Sequence, residues 1–554
     1  MFTKKNITFK LLVCVGMGFF FYSCTDLDQD VYSEVPEENF WQSAEEIQAG
    51  VAPAYQALTD LSRQTFTEGF NMTSDELIVP TRGGDWDDGG FHRRAWLHKW
   101  DPSSGFENGM WESLFKGVSR TNQILYNLEA VDFDAVGDVD PAVFEQTVAE
   151  VKSLRAYFYY WVLKIFGNAP LVTDFTISPN DVATSPKEEL YQYIEEELLS
   201  NIDKLPENVD GSTYGKFTKW AAYGVLAKLY MNSQFFIGEE RWSDAEAMTD
   251  SIIESGNYSL NPSFFDNFSP DNKESPENIF VIPFDKVNIV GFDMMWRTLH
   301  YDMNVMFDLP EQPVNGYCAP PEFYDLFDLS HTDRVVGDKT YRTYNDQRTG
   351  MWVVGQQYDE KYPYPPYKDV LVDAPDEMKL KDQGTGMDLK IEPHFSELSS
   401  PNDEQRLVGA RSIKYFPEAG TSKYTTSNDY VLLRYADVLL MNAEAIVRGG
   451  GDLNKALDDV NQVRERAYSG DASHNWTMAD LTLENLLDEN GRELAWEGPR
   501  RMALIRAEVA SGTPYYSGPR TPEKMQDGGD YTFYLPIPEQ QRNTNSKLEQ
   551  NPGY

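Results

Sequence analysis

Two parts of the sequence have the apolar spacing of paired helices, and this pattern constrains the fold more than any other feature. The segment KFTKWAAYGVLAKLYMNSQFF is apolar on more than one side, as a buried helix is, and RWSDAEAMTDSIIESG follows it. Farther along the chain, RYADVLLMNAEAIVRGGGDLNKALDDVNQVRERA indicates a helix, a glycine turn and a second helix. Such helices need small residues where they approach closely, and Gly224, Ala245, Ala443 and Ala456 supply them. The sequence therefore predicts a mostly α-helical fold built from stacked tetratricopeptide-like helix pairs.

The chain between about residues 261 and 429 has a different character, because Pro, Gly, Asp and Tyr increase and helical periodicity fades. The segment YDEKYPYPPYKD cannot form a regular helix, since Pro363, Pro365 and Pro366 lack an amide donor and fix the backbone angle φ. The many aromatic residues argue against disorder. We predict a loop-rich insertion at about 261–429, packed on a helical scaffold of about 41–260 and 430–510. Both parts would belong to a single domain spanning 41–554.

The N-terminus predicts export. Lys4, Lys5 and Lys10 precede a short apolar run at 11–21, which is typical of a secretory signal and short for a membrane span. The segment ends at Cys24 before the acidic TDLDQD, as in a lipoprotein signal in which this Cys becomes the lipidated first residue. We predict a lipoprotein signal peptide at 1–23 and a polar tether at 24–40. Ordinary cleavage near Ser23 without a lipid is the alternative.

Charge and residue motifs narrow the class of function. The 554 residues carry a formal net charge of −41, which repels phosphate backbones and argues against nucleic acid as a partner. Of the three cysteines, only Cys318 would remain free, and it is interpreted as a small buried residue. The HExxH, GxSxG and Walker-type motifs do not occur, and the six His have no clear metal spacing. We expect no enzymatic activity, no cofactor and no metal ligands, although a structural Ca²⁺ is compatible with so acidic a protein.

The segment SDELIVPTRGGDWDDGGFHRRAWLHKW, residues 74–100, contains the first candidate site. Paired glycines bracket DWDD, which predicts an exposed turn where a Trp gains little from burial in the core. An aromatic ring can stack on the C–H face of a sugar, and Asp and Arg can bond its hydroxyl groups. The candidate ligand-binding residues here are Arg82, Asp85, Trp86, Asp87 and Trp96. The alternative is that Trp86 folds back onto its own loop while the acids are merely solvated.

A series of longer segments follows a recognisable order along nearly the whole chain. They are NFWQSAEEIQAGVAPAYQAL, LRAYFYYWVLKIFGNAPLVTD, LLRYADVLLMNAEAIVR, VNQVRERA, GRELAWEGPRRMALIR and the final YLPIPEQQRNTNSKLEQNPGY. In this order they resemble the SusD/RagB-like outer-membrane nutrient-binding lipoproteins, with Asn490 standing where an Arg is common. The resemblance implies four tetratricopeptide-like helix pairs and a lipid anchor at the surface of a Gram-negative cell. It also implies non-catalytic glycan binding and a position as a lid on a SusC-like TonB-dependent transporter.

Two aromatic stretches of the insertion give further candidates, since the resemblance places inserted segments on the ligand side. GFDMMWRTLHYDMN contains Trp296, with Arg297 and Tyr301 as weaker candidates. MWVVGQQYDEKYPYPPYKD contains Trp352 and Tyr358, which could line the same groove. The alternative for these side chains is packing within an insertion that has little other core.

Three functions remain open from the sequence, and non-catalytic glycan binding is favoured. A surface glycoside hydrolase would use acids from residues 75–88, and an assembly lipoprotein would use its helix pairs and aromatics to bind another polypeptide. Glu493 and Glu497 lie four residues apart near Arg492, Arg500 and Arg501, so they are interpreted as part of a structural ion-pair network. Asp437 is similarly expected to pair with Arg434 between helices.

Overall fold

Ten long helices form the scaffold in the part of the chain that the structure, a computed structural model, describes: residues 41, 43–131, 139–178, 181–519 and 529–554. They are α1 (Ala44–Leu58), α2 (Phe106–Glu129), α3 (Pro141–Phe166), α4 (Lys187–Asn201), α5 (Lys219–Met231), α6 (Trp242–Glu254), α7 (Tyr435–Gly449), α8 (Leu453–Ala467), α9 (Leu483–Glu493) and α10 (Arg500–Ser511). The other helical segments are short, and two of them, Phe91–Trp96 and Tyr301–Met306, position the candidate site.

The helix ends follow from local chemistry. Ser43 accepts a hydrogen bond from the Glu46 amide at the start of α1, and Thr218 does the same for Ala221 at the start of α5. At the other end, α7 stops at Gly450 and α10 at Gly512, both with φ of 74°. A left-handed residue at this position favours glycine, because a side chain would clash with the backbone.

The helices pack as neighbouring antiparallel pairs. Helix α2 lies against α3, α3 against α4, α5 against α6, α6 against α7, and α7 against α8. The small residues Ala245, Ala443 and Ala456 at these contacts are completely buried, as the spacing predicted. The prediction of a mostly α-helical fold of stacked helix pairs is confirmed.

The insertion consists of short strands, short helical segments and loops. Strand β1 (Asn278–Ile282) pairs antiparallel with β9 (Tyr430–Arg434), which leads directly into α7. The remaining small sheets are β2 (His331–Val336) with β3 (Lys339–Tyr344) and β6 (Val370–Asp373), β4 (Trp352–Val353) with β8 (Arg411–Ser412), and β5 (Gly355–Gln356) with β7 (Lys390–Ile391). One hydrophobic cluster continues from the helices into this insertion.

Cys318 is fully buried and free, as predicted. Within the described part of the chain, no helix combines the length and apolar character needed to cross a membrane. The predicted signal peptide, Cys24 and the tether lie outside the described residues. The domain boundary at residue 41 therefore stays a prediction.

A buried cluster of ionised side chains joins the insertion to the scaffold, and we call it the charged node. Glu493 lies at its centre, where Oε1 accepts a 2.7 Å hydrogen bond from Arg434 and Oε2 a 3.2 Å hydrogen bond from Arg348. Arg466 also donates to Glu493, and Arg434 binds Glu497 through two hydrogen bonds of 2.8 Å. The node consists of Glu277, Asp346, Arg348, Lys414, Arg434, Arg466, Glu489, Glu493 and Glu497.

The predicted ion-pair network around Glu493 and Glu497 is confirmed, but the expectation that Arg500 and Arg501 belong to it is wrong. Arg492 binds Glu489 at the edge of the node, whereas Arg500 binds Asp75 and Arg501 donates to Thr73 and to the Phe533 carbonyl. The expected pair of Asp437 with Arg434 is also wrong, because Asp437 binds Lys228 at 2.8 Å while Arg434 enters the node. The true partners come from β9, α8 and the insertion, which are distant in sequence.

Candidate functional site

Residues 83–90 form a tight surface turn with an unusual backbone. The Arg82 amide donates to the Asp85 carbonyl at 2.8 Å and closes the turn. Trp86 has a φ of 60° and Asp88 a φ of 42°, a region that side chains other than glycine rarely adopt. Such a residue costs on the order of 1–3 kcal/mol and persists only where its surroundings hold it. The contacts of Trp86 supply that support.

Trp86 packs onto the insertion. Its Nε1 donates to the Val314 carbonyl at 2.7 Å, and its ring lies over Gly316 with no room for a β-carbon. The ring centroid is 5.5 Å from that of His92 and 6.4 Å from that of Tyr317. Trp86 therefore does not fold back onto its own loop. It is held against a neighbouring segment while part of its ring stays exposed.

Asp85 connects this turn to Tyr301 and Arg406. The Tyr301 hydroxyl donates to Asp85 Oδ2, and the Trp86 amide donates to Oδ1 at 2.9 Å. The Arg406 guanidinium lies 4.8 Å from the centroid of the Tyr301 ring. Arg406 is held by buried Asp382, which accepts from its Nε and its Nη2. We call the surface formed by Asp85, Trp86, Asp87, Tyr301 and Arg406 the Trp86–Tyr301 face.

Tyr301, Arg406 and the Asp382 that holds Arg406 have shifted pKa values. Burial, together with the hydrogen bond to Asp85, raises the pKa of Tyr301, so its hydroxyl stays a donor. Burial alone would raise the pKa of Asp382, but the hydrogen bonds from Arg406 outweigh it and the pKa is lowered. The same hydrogen bonds raise the pKa of Arg406. The face therefore offers aromatic surface, a charged guanidinium and exposed carboxylates together, which is what a ligand rich in hydroxyl groups needs.

Two candidates from the first stretch are corrected by the structure. Arg82 is 0% exposed and donates to the carbonyls of Asn315, Gly316, Gln405 and Val408, so it braces the insertion from inside. Trp96 is also 0% exposed, in a small core with Ile78 and Cys318. Neither side chain has surface to present to a ligand, whereas Asp85 and Asp87 are exposed and Trp86 is partly so.

The candidates Trp296, Trp352 and Tyr358 are corrected for the same reason. Trp296 and Trp352 are each 1% exposed, and Trp352 is enclosed by aromatic residues that include Phe327 and Trp496. Tyr358 is 4% exposed, and its hydroxyl points to the Val372 carbonyl at 3.4 Å. The alternative weighed for these residues, packing within the insertion, is what the structure shows.

Sequence reasoning ranked Tyr301 too low and missed Arg406 and Asp382. Tyr301 follows the buried Trp296 by five residues, and the sequence does not show which of the two reaches the surface. Arg406 and Asp382 lie in loops without any aromatic or glycine signature. Arg406 and Asp382 are about 300 residues away from the turn at residues 83–90 along the chain, and only the fold brings them close to it.

One group in the described ranges has the residue types of a metal site, next to this face. Ligand atoms of His300, Asp302 and Asp382 lie within 4.8 Å of one another. The contacts fit an internal polar cluster better, because His300 Nδ1 accepts from the Asp302 amide at 3.2 Å and Arg406 occupies both oxygens of Asp382. Ca²⁺ prefers six to eight oxygen ligands, which this group does not provide. A structural Ca²⁺ elsewhere stays a prediction.

Comparison with known families identifies the class of protein to which this scaffold of helix pairs belongs. The model of the SusD family matches residues 276–554, about half of the chain. A second model, described as "Starch-binding associating with outer membrane", matches residues 26–231. The chain belongs to the SusD family.

Individual relatives are distant but cover most of the chain. SusD-like protein P2 of Formosa agariphila is 23% identical over 100% of both chains. The starch-binding protein SusD of Bacteroides thetaiotaomicron is 25% identical over 82% of this chain and 80% of its own. Among solved structures, surface glycan-binding protein A of the same species, in complex with laminarihexaose, has a TM-score of 0.64 at 21% identity. It covers 92% of this chain and 99% of its own. This likeness shows the fold.

Proposed function

We propose that this protein binds glycans at the cell surface without cleaving them and passes them to a TonB-dependent transporter in the outer membrane. The observation that carries the proposal is the Trp86–Tyr301 face, where the strained Trp86, Tyr301 and Arg406 stand beside exposed Asp85 and Asp87. Aromatic rings suit the C–H faces of sugars, and the carboxylates and guanidinium suit their hydroxyl groups. The names of two relatives, a starch-binding protein and a protein bound to laminarihexaose, support the same ligand class.

The sequence and the family support the proposed location. Cys24 would carry the lipid that holds the protein in the outer membrane, and residues 24–40 would act as the tether. The match to a family described as associating with the outer membrane supports this location. A SusC-like transporter beneath the protein is the expected partner. Lipid anchor and transporter are both part of this proposal.

Affinity gel electrophoresis of residues 25–554 against a panel of polysaccharides tests the binding function. We expect one polymer to retard the protein and the Trp86→Ala variant to lose most of that retardation. Trp220→Ala is a matched control, because Trp220 is also partly buried and donates Nε1 to a backbone carbonyl, but on helix α5 of the scaffold. Equal loss in both variants would point to a general folding defect. Retention in the Trp86→Ala variant would count against this face as the site.

The absence of catalysis needs its own measurement. The purified protein is incubated with the polymer it binds, and newly formed reducing ends are quantified. We expect none above a heat-denatured control. Release of reducing ends that is abolished by Asp85→Ala would replace the binding function with a hydrolase. The alternative of an assembly lipoprotein would be favoured if no glycan binds and Trp86→Ala weakens association with another polypeptide.

A further inference from the structure

The exposed charges around the Trp86–Tyr301 face are mainly negative. Asp85, Asp87 and Asp88 are exposed on the turn, and Asp403 lies against Gly83 at its edge. The positive charge of Arg406 is countered by Asp382, which binds it through two hydrogen bonds.

The remaining arginines near the turn do not reverse this balance. Arg82 has no exposed surface, and its guanidinium is bound to four carbonyl groups. Arg94 donates to the Gly89 carbonyl at 2.6 Å and also acts on Asp101, whose pKa is lowered mainly by Ser103 and in part by Arg94. Arg93 is exposed on the same short helix. Among the exposed side chains at the turn and its edge, the four carboxylates of Asp85, Asp87, Asp88 and Asp403 therefore outnumber the two guanidinium groups of Arg93 and Arg94.

The hydrogen-bonding groups of the face are also unequal. Each oxygen of Asp85 accepts one hydrogen bond, and a carboxylate can accept about four in total. The Tyr301 hydroxyl already donates its hydrogen bond to Asp85, so its oxygen can only accept from a ligand. Nη1 of Arg406 is the guanidinium nitrogen that Asp382 does not engage. Apart from Nη1 of Arg406, the groups of the face accept hydrogen bonds, so the face suits a ligand that donates them. Sugar hydroxyls can donate, whereas carboxylate and sulfate groups only accept.

Building on the proposed function, we infer that the Trp86–Tyr301 face selects neutral, hydroxyl-rich glycans and discriminates against glycans that carry carboxylate or sulfate groups. Like charges a few ångströms apart repel at low ionic strength, and salt weakens this repulsion for exposed groups. With several carboxylates around the turn, we expect at least about tenfold weaker binding of an anionic form of the same glycan, a difference that shrinks as salt is added.

The test uses one polymer in two forms. The neutral polysaccharide that binds most tightly in the affinity gel experiment is partially sulfated. Isothermal titration calorimetry then measures the affinity of residues 25–554 for the unmodified and the sulfated polymer. The measurements contain EDTA and are made at two salt concentrations. We expect tight binding of the neutral form and at least about tenfold weaker binding of the sulfated form at low salt. Equal or tighter binding of the sulfated form would overturn the inference while leaving glycan binding intact. If no neutral polymer binds but an acidic one does, the inference also fails and the function stands.

Two double variants test whether the charge near the face, and not the total charge of the protein, sets the preference. Asp88→Asn with Asp403→Asn removes two negative charges beside the face without changing a residue of the face itself, and should raise affinity for the sulfated polymer about threefold or more, with little change for the neutral one. Glu239→Gln with Glu240→Gln removes the same charge from exposed positions on the scaffold and should change neither affinity. An equal gain in both pairs would show that total charge, not this face, sets the preference, and would overturn the inference. If no polymer of either kind binds, the proposed function fails and the inference fails with it.

Discussion

Glu493 shows how much one residue contributes to the charged node. It is completely buried, and three arginines donate to it. Burial alone would raise its pKa, but these arginines lower it to about 2. Glu493→Gln would leave buried guanidinium groups without their counter-charge, and we expect a loss of about 3–5 kcal/mol in the free energy of unfolding. Urea denaturation measures this loss.

The matched control for that change is a surface ion pair. Asp369 binds Arg334, and both side chains are more than half exposed. Asp369→Asn should therefore cost less than about 1 kcal/mol. A comparable loss in both variants would mean that burial does not set the contribution of these ion pairs.

Glu76 makes the stability of the protein depend on pH. It is fully buried, its Oε2 accepts from the Trp496 amide at 2.7 Å, and burial raises its pKa from 4.5 to about 8. The folded state therefore keeps a proton that the unfolded state releases above pH 4.5, and this contribution to stability is lost as the pH rises towards 8. We expect the urea midpoint of the native protein to fall between about pH 5 and 8, and the midpoint of Glu76→Gln to fall less. The exposed Glu45→Gln should behave like the native protein.

The turn at residues 83–90 depends on a glycine in another segment. A β-carbon at Gly316 would lie 2.6 Å from the ring of Trp86, so Gly316→Ala should displace the ring from its contact with this segment. We expect at least about tenfold weaker glycan binding by calorimetry, with the helical circular dichroism unchanged. Gly211→Ala is the control, because nothing lies within 4 Å of a β-carbon there. Unchanged affinity in Gly316→Ala would mean that the position of Trp86 does not matter for binding.

The elements differ in how far local sequence determines them. Helices α5 to α8 were predictable because their apolar spacing and glycine stops are local signals. The Trp86 turn was predictable for the same reason, since its four glycines lie within eight residues. Trp296 and Trp352 misled the prediction, because an insertion without long helices builds its core from the same aromatic residues that a binding surface uses. Arg406 reaches the face through contacts distant in sequence, which spacing does not reveal.

At the scale of the whole molecule, the proposed lipid anchor would hold the protein, and with it the Trp86–Tyr301 face, at the outer membrane. Cys24→Ala should leave the protein without a lipid, so that it is recovered in the soluble fraction instead of with the outer membrane. Cell fractionation and the mass of the N-terminal peptide measure this. Cys318→Ala should keep the lipid, because this thiol is buried in the insertion. Membrane recovery of Cys24→Ala with an unmodified N-terminus would contradict the anchor.

The charged node has a consequence for how such a sequence can change over evolutionary time. Its members come from the insertion, from β9, from α8 and α9 and from the segment after α9, and each glutamate of the node binds more than one cation. A single replacement leaves a buried charge without its partner and lowers the free energy of unfolding. Replacing both partners together would avoid this loss but needs several mutations at once. The exposed carboxylates of the face are not buried charges, so replacing one of them costs little stability. A lineage can therefore exchange such exposed residues more easily than its interior charges, so that ligand preference diverges faster than the scaffold.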